Sequence, residues 1–298
     1  MIDTTRLLDL WTAHRAALEA PVRRLDFPRF GRVFEDRPYQ LGVINLSRDS
    51  SYRESICPTL EHALYRARRM TVEGAAAIDL GAESTGETAA EVAVAGQIDR
   101  LRPVTEALVS ENMLVSVETY HAEVGVALLE AGAGIVNLTG RVDDRAFYEA
   151  VARHEAGVIL CYTPGETARS DAALPPPDRL MADMLAFFEE RVRLATEAGV
   201  ERLWLDPGFG FALGLPDGPD RIAYQTESQL QAFRLRALGW PVCQTLTSSV
   251  HLFRDEVRCG ETASAVLALI GRANLLRSHE VARVQPVLDM QGYDVAMT

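Results

Sequence analysis

The chain has 298 residues, 48% apolar and 24% charged, a balance that excludes a disordered or low-complexity chain and leaves ample apolar material for a core. Its 42 acidic and 30 basic residues give a net charge of -12. No Lys/Arg block stands ready to neutralise a run of phosphates, so nucleic acid and anionic membrane are excluded as expected partners. The length admits one large α/β domain or two average ones.

The chain opens on MIDTTRLLDLWTAHRAALEA, an amphipathic helical pattern with acidic residues that lacks the basic start and unbroken apolar run of a signal peptide. No later stretch reaches the roughly 18 uncharged apolar residues that span a bilayer. Cys57, Cys161, Cys243 and Cys259 lie far apart, without a CxxC pair or zinc-type spacing, and are expected as reduced structural thiols of a cytoplasmic protein. Residues 1–40 are expected to form an N-terminal helical extension and a short crossover, which covers one end of the domain formed by residues 41–298.

From Leu41 onward, apolar runs of strand length alternate with helical patterns of roughly 12 to 20 residues. The runs are Leu41–Leu46, Ala76–Leu80, Leu114–Val117, Gly134–Leu138, Gly157–Cys161, Arg202–Leu205, Pro241–Leu246 and Asn274–Ser278. Between them lie stretches such as TLEHALYRARRMTVEGA and AEVGVALLEAGA. Gly74, Gly132 and Gly199 stand where helix C-termini take a left-handed residue. Eight buried strands alternating with eight helices predict a single (β/α)8 TIM barrel of the α/β class rather than an open sheet. The Pro-rich stretch Leu174–Arg179 reads as an elaborated loop after the fifth strand.

In such a barrel the chemistry sits at the C-terminal ends of the strands. Polar residues there are Asn45 at the end of the first run, Asp79 in the second, Glu118 and Thr119 after the third, and Asn137 and Thr139 around the end of the fourth. The remaining strands offer Cys161 and Tyr162, then Asp206, then the TLTSS run, and finally Arg277, Ser278 and His279. Glu118, Asn137 and Asp206 would be costly to bury unless a ligand donates hydrogen bonds to them, which suits an aminopyrimidinone edge; they could equally serve as loop caps and rim hydrogen bonds. Arg277 and His279, with Asn45 across the rim, suit an anion such as phosphate or diphosphate. Gly208 and Gly210 in DPGFGF lack the spacing and the lysine of a nucleotide loop, and no GxSxG or HExxH motif occurs.

Together these strand ends resemble dihydropteroate synthase and its pterin-binding relatives from about Leu41 to about Met290. The matching segments, in order, are LGVINLSRDS, AAIDLGAESTGE, VSVETYHAEV, AGAGIVNLTG, WLDPGFGF and LLRSHEV. The resemblance implies a transferase with a (β/α)8 barrel, a reduced pterin deep in its mouth, and a homodimer. It implies pterin-binding roles for Glu118 (where the family usually has Asp), Asn137, Asp206 and Arg277. Arg277, His279 and Asn45 would hold a diphosphate leaving group and its Mg2+, with Asn45 as the metal contact. Asp49 and Asp206 would be catalytic, Asp49 steadying the cationic pterin methylene as diphosphate departs.

The departures bear on the second substrate, whose side would include Thr85, Ser248 and Ser249. Thr247, Ser248 and Ser249 replace the family's Ser-Arg-Lys motif, Gly86 replaces an arginine, SRDSS stands for TPDSF, and Cys161-Tyr162 stands for Met-His. Each lost cation removes charge-assisted bonds worth about 1.5–3 kcal/mol apiece. The resemblance therefore implies a transferase that is not an efficient dihydropteroate synthase and that performs substitution at a pterin methylene with a different, unidentified nucleophile. Two alternatives stand beside it: a one-carbon transferase that takes tetrahydrofolate and passes a methyl or methylene group to an acceptor, and a non-catalytic pterin-binding homologue.

Overall fold

The computed structural model describes residues 3–50, 52–84, 89–170, 173–208, 219–246 and 256–290. The opening pattern forms two helices, α1 (Thr4–Ala13) and α2 (Arg15–Leu18), broken at His14, where φ is -123° and ψ 30°. Asp3 caps α1 by accepting from the Arg6 N–H at 2.8 Å. An antiparallel hairpin follows, β1 (Leu25–Phe27) and β2 (Arg32–Phe34), pairing Leu25 with Phe34.

The remaining chain forms the expected (β/α)8 barrel. Its strands are β3 (Tyr39–Asn45), β4 (Ala75–Gly81), β5 (Val115–Thr119), β6 (Ile135–Leu138), β7 (Gly157–Cys161), β8 (Leu203–Asp206), β9 (Cys243–Thr245) and β10 (Leu275–Ser278). The helices that follow them in turn are α3 (Leu60–Val72), α4 (Val94–Ser110), α5 (Ala122–Glu130), α6 (Arg145–Arg153), α7 (Leu180–Glu197), α8 (Pro219–Gln231), α9 (Val257–Ile270) and α10 (Val281–Asp289). All sheet pairs are parallel, in the order β8-β7-β6-β5-β4-β3-β10-β9. A parallel bridge between Leu205 and Val242 joins the two ends, with the Leu205 N–H donating to the Pro241 carbonyl at 3.0 Å. Gly74, Gly132 and Gly199 each have a positive φ, between 92° and 115°, and end α3, α5 and α7 as their spacing predicts.

Side chains alternate between the two faces of each strand. Ile78, Leu80, Val115 and Val117 pack outward against Ala67 of α3 and Leu101 of α4. The alternate residues turn into the barrel. A register shift beside Leu41 leaves Ala76 as an extra residue in β4 and brings Val43, Asp79 and Ser116 level across three strands. At the N-terminal end the hairpin closes the barrel. Phe27 stacks on Trp204 with centroids 5.8 Å apart, and Phe34 meets the same indole edge-on at 5.1 Å. The crossover expected from the sequence is thus a hairpin whose two aromatic side chains plug the barrel floor.

Candidate active site

Inward-facing polar residues meet at the C-terminal end of the barrel, opposite the plug. Arg277 on β10 donates from Nε to Asp79 Oδ2 at 2.6 Å and from Nη2 to Glu118 Oε2 at 2.5 Å. Asp79 is fully buried and also accepts from Ser116 Oγ at 2.6 Å and Asn137 Nδ2 at 3.1 Å. Asn137 Oδ1 then faces the Cys161 thiol at 3.5 Å. Asp206 accepts the Gly208 N–H at 2.8 Å and the Cys243 thiol. Gly81 makes room for this grouping: a Cβ there would lie 3.2 Å from Glu118 Oε2 and 3.4 Å from Asn45 Oδ1.

Two carboxylates, Asp79 and Glu118, therefore share one guanidinium, and the Asp206 carboxyl lies within reach of its charge. Burial raises the Asp206 carboxyl to about 7 against the opposing pull of the Gly208 N–H and Arg277. Burial also raises Glu118, offset by Arg277 and reinforced by the negative charge of Asp79. Desolvation holds the thiols of Cys161 and Cys243 well above their ordinary value, with Asp206 adding to it. Both thus stand beside the carboxylates as neutral S–H groups lining the mouth. The balance leaves more acceptors than donors, which a ligand edge rich in N–H groups would complete.

The sequence carries its own match to this geometry, because the pterin binding enzyme family covers residues 41–247. The chain belongs to that family. A dihydropteroate synthase of Streptococcus pyogenes serotype M3 is 29% identical over 269 residues, spanning 86% of this chain and 95% of that protein. A probable bifunctional folylpolyglutamate synthase/dihydropteroate synthase of Halobacterium salinarum is 32% identical over 258 residues, 83% of this chain; the match spans only 30% of that longer protein. The solved structure of Yersinia pestis dihydropteroate synthase with a sulfonamide drug complex superposes with a TM-score of 0.78 at 28% identity, covering 90% of this chain and 97% of that one. That of Xanthomonas albilineans dihydropteroate synthase with 4-aminobenzoic acid gives 0.76 at 32% identity, covering 94% and 100%.

In this pterin binding enzyme the structure gathers Glu118, Asn137, Asp206 and Arg277 into one cluster. His279 stands at the end of β10 with Nδ1 bonded to Glu261 Oε1 at 2.6 Å and its ring stacked on Tyr52. Asn45 is turned differently from the donor expected across the rim. Its Nδ2 donates to Ser55 Oγ at 2.5 Å and Ser50 Oγ at 3.0 Å. Since Ser55 Oγ donates to the Tyr52 carbonyl at 2.7 Å, it must accept from Asn45, so Asn45 offers Oδ1 to the mouth. Such an oxygen fits Mg2+, which takes one or two protein oxygens and completes its shell with phosphate and water. Among the described residues no group of three His, Cys, Asp or Glu side chains is placed to hold a metal.

Asp49 is exposed and lines a cavity of about 850 Å3 between the β3–α3 loop and the start of α4, beside the cluster rather than within it. Thr85, Gly86, Thr247, Ser248 and Ser249 lie outside the described residues.

Two features of the site carry roles that the sequence reading did not assign. Asp79 unites Arg277, Asn137 and Ser116, and its signal was its place in AAIDLG, two residues before a glycine on the inward face. A rim cluster forms around Glu83, which accepts from Tyr120 Oη, Gln97 Nε2 at 2.6 Å and Arg169 Nη1 at 2.9 Å. Arg169 also donates to the carbonyls of Ser84 and Ala89, tying the β7–α7 loop to the β4–α4 loop. No periodicity could have revealed it, because Arg169 sits in irregular chain.

Proposed function

We propose that this enzyme binds a reduced pterin in the barrel mouth and catalyses substitution at the pterin's exocyclic methylene, with diphosphate as the leaving group. The observation that carries the reading is the acceptor set of buried Asp79, Asn137 and Asp206 with half-buried Glu118, gathered around Arg277. The N–H edge of the pterin meets these acceptors, and Arg277, locked by two carboxylates, lies beside the ring. The nucleophile's lone pair forms the new bond to the methylene carbon as the C–O bond breaks. That electron pair leaves on diphosphate, and the nucleophile loses its proton. Asp49 supplies negative charge near the methylene, and His279 meets the departing diphosphate. Asn45 Oδ1 would hold a Mg2+ whose contribution is to neutralise charge on the leaving group.

The replacements at Gly86, Thr247, Ser248 and Ser249 support a nucleophile other than p-aminobenzoate. The test is to incubate the protein with dihydropterin diphosphate, Mg2+ and a panel of amines that includes p-aminobenzoate, and to follow diphosphate release. Release with p-aminobenzoate as the best amine would refute the altered nucleophile. Binding of methyl-tetrahydrofolate without binding of dihydropterin diphosphate would replace the reading with one-carbon transfer. If wild type and Asp206→Ala release diphosphate equally, the site assignment fails.

A further inference from the structure

Glu261, in the first half of α9, is fully buried yet has no part in the chemistry above. Its Oε2 accepts from Ser278 Oγ at 2.7 Å and from the Glu280 N–H at 2.9 Å, and the His279 N–H straddles both oxygens at 2.9 and 3.0 Å. Its Oε1 takes His279 Nδ1 at 2.6 Å. An ionised carboxylate can only accept, so Nδ1 carries the proton of the neutral ring and Nε2 is bare. In the doubly protonated ring Nδ1–H keeps the same partner, and the added proton resides on Nε2.

The ring is held in place as well as in tautomer. Tyr52 stacks on it with centroids 4.4 Å apart and planes 14° from parallel, and Arg66 Nη2 holds the His279 carbonyl at 2.9 Å. His279 is among the residues that line a cavity of about 320 Å3 with Glu54, Arg66, Arg258 and Glu280, and its charge acts on Glu118. Among the described residues no hydrogen bond engages Nε2.

We propose that Glu261 is a positioning residue that confines the protonation change of His279 to Nε2 and presents that nitrogen to the diphosphate group. The ligand in this assignment rests on the function proposed above; the Glu261–His279 pairing does not.

Glu261→Gln tests it. The Glu280 N–H and the Ser278 hydroxyl keep the amide oxygen in the place of Oε2, which turns the NH2 group toward Nδ1 and obliges Nδ1 to accept. Nitrogen-15 NMR on histidine-labelled protein, recorded with the ring neutral, is expected to show Nδ1–H for His279 in wild type and Nε2–H in E261Q. A doubly protonated ring in E261Q would face amide N–H groups, so calorimetry is expected to show inorganic diphosphate bound about tenfold more weakly. An unchanged tautomer or an unchanged diphosphate affinity, in a variant that melts like wild type, overturns the assignment. Should E261Q fail to fold, the wild-type spectrum decides: Nε2–H on the neutral ring refutes the proposal and Nδ1–H upholds it. Wild type with Nδ1–H but no affinity for diphosphate would leave the positioning role intact and remove the pterin diphosphate function.

Discussion

With its carboxyl raised from 3.8 to about 7 by burial, Asp206 binds a proton more tightly in the folded chain than in the unfolded one. Between those values the native state holds a proton that the unfolded chain has released, so stability falls as pH rises through the window and its full contribution is present only below the unfolded value. Asp206→Asn removes the dependence. Its stability relative to wild type is expected to be unchanged near pH 4 and greater by on the order of 3–4 kcal/mol at pH 8. Denaturant unfolding across that range checks it, and parallel curves for the two proteins would show that another group titrates. Since the carboxylate form is the better acceptor, pterin affinity is expected to rise with pH to about 7 and level off, and Asp206→Asn should flatten that rise.

Asp79 makes the complementary case. Removing it leaves Arg277 buried with one carboxylate instead of two and strips a partner from Asn137 and Ser116. Breaking such a buried pair costs about 3–5 kcal/mol, so Asp79→Ala is expected to lower the urea midpoint by a large fraction of the whole stability. A loss below about 1 kcal/mol would mean that Arg277 finds other partners. Asp79 and Asp206 look alike in sequence, each an Asp near the end of an apolar run. What separates them is the neighbour across the barrel: Arg277 bonds Asp79 directly, whereas Asp206 meets a thiol and one backbone N–H. Residue type alone carries no trace of that difference.

At the scale of elements, the β3–α3 loop is docked on the β10–α10 corner through Tyr52. Its hydroxyl donates to Glu280 Oε1 at 2.7 Å, and Arg258 of α9 donates to both oxygens of the same carboxylate, each at 2.7 Å. Tyr52→Phe is expected to keep the ring stack and lose one charge-assisted bond. Hydrogen exchange of the Ser55, Ile56 and Cys57 amides should then accelerate about tenfold while the barrel strands stay protected. Equal exchange in the two proteins would place the docking in the stack alone. The eight strands were legible because a buried parallel strand reads as a short continuous apolar run. The register shift that leaves Ala76 extra was not, although it determines that Asp79 rather than a neighbour faces inward. The Glu83–Arg169 and Glu261–His279 contacts were hidden for a related reason. Each joins residues from separate βα units, 86 and 18 positions apart, and no local period reports on them.

Across the whole molecule, the aromatic plug and the polar cluster occupy opposite ends of one barrel. Phe27, Phe34 and Trp204 seal the N-terminal end, while the carboxylates and Arg277 line the other. Phe27→Ala opens a cavity beneath Trp204 and is expected to cost about 3–5 kcal/mol while leaving pterin affinity within twofold of wild type. Loss of affinity in a protein that remains folded would show that the plug and the mouth are coupled. Among the described residues no helix is long and apolar enough to cross a membrane. Composition and period by themselves determined that this chain builds a barrel and which strand ends carry polar groups, because burial selects apolar residues along each strand and the chemistry lies where the strands stop. Only the tertiary structure decided which of those groups share an arginine, which one meets a thiol and which histidine is held by a buried carboxylate. Such pairings depend on closing the sheet into a ring, which sets residues from distant strands within hydrogen-bonding reach in a space that water leaves.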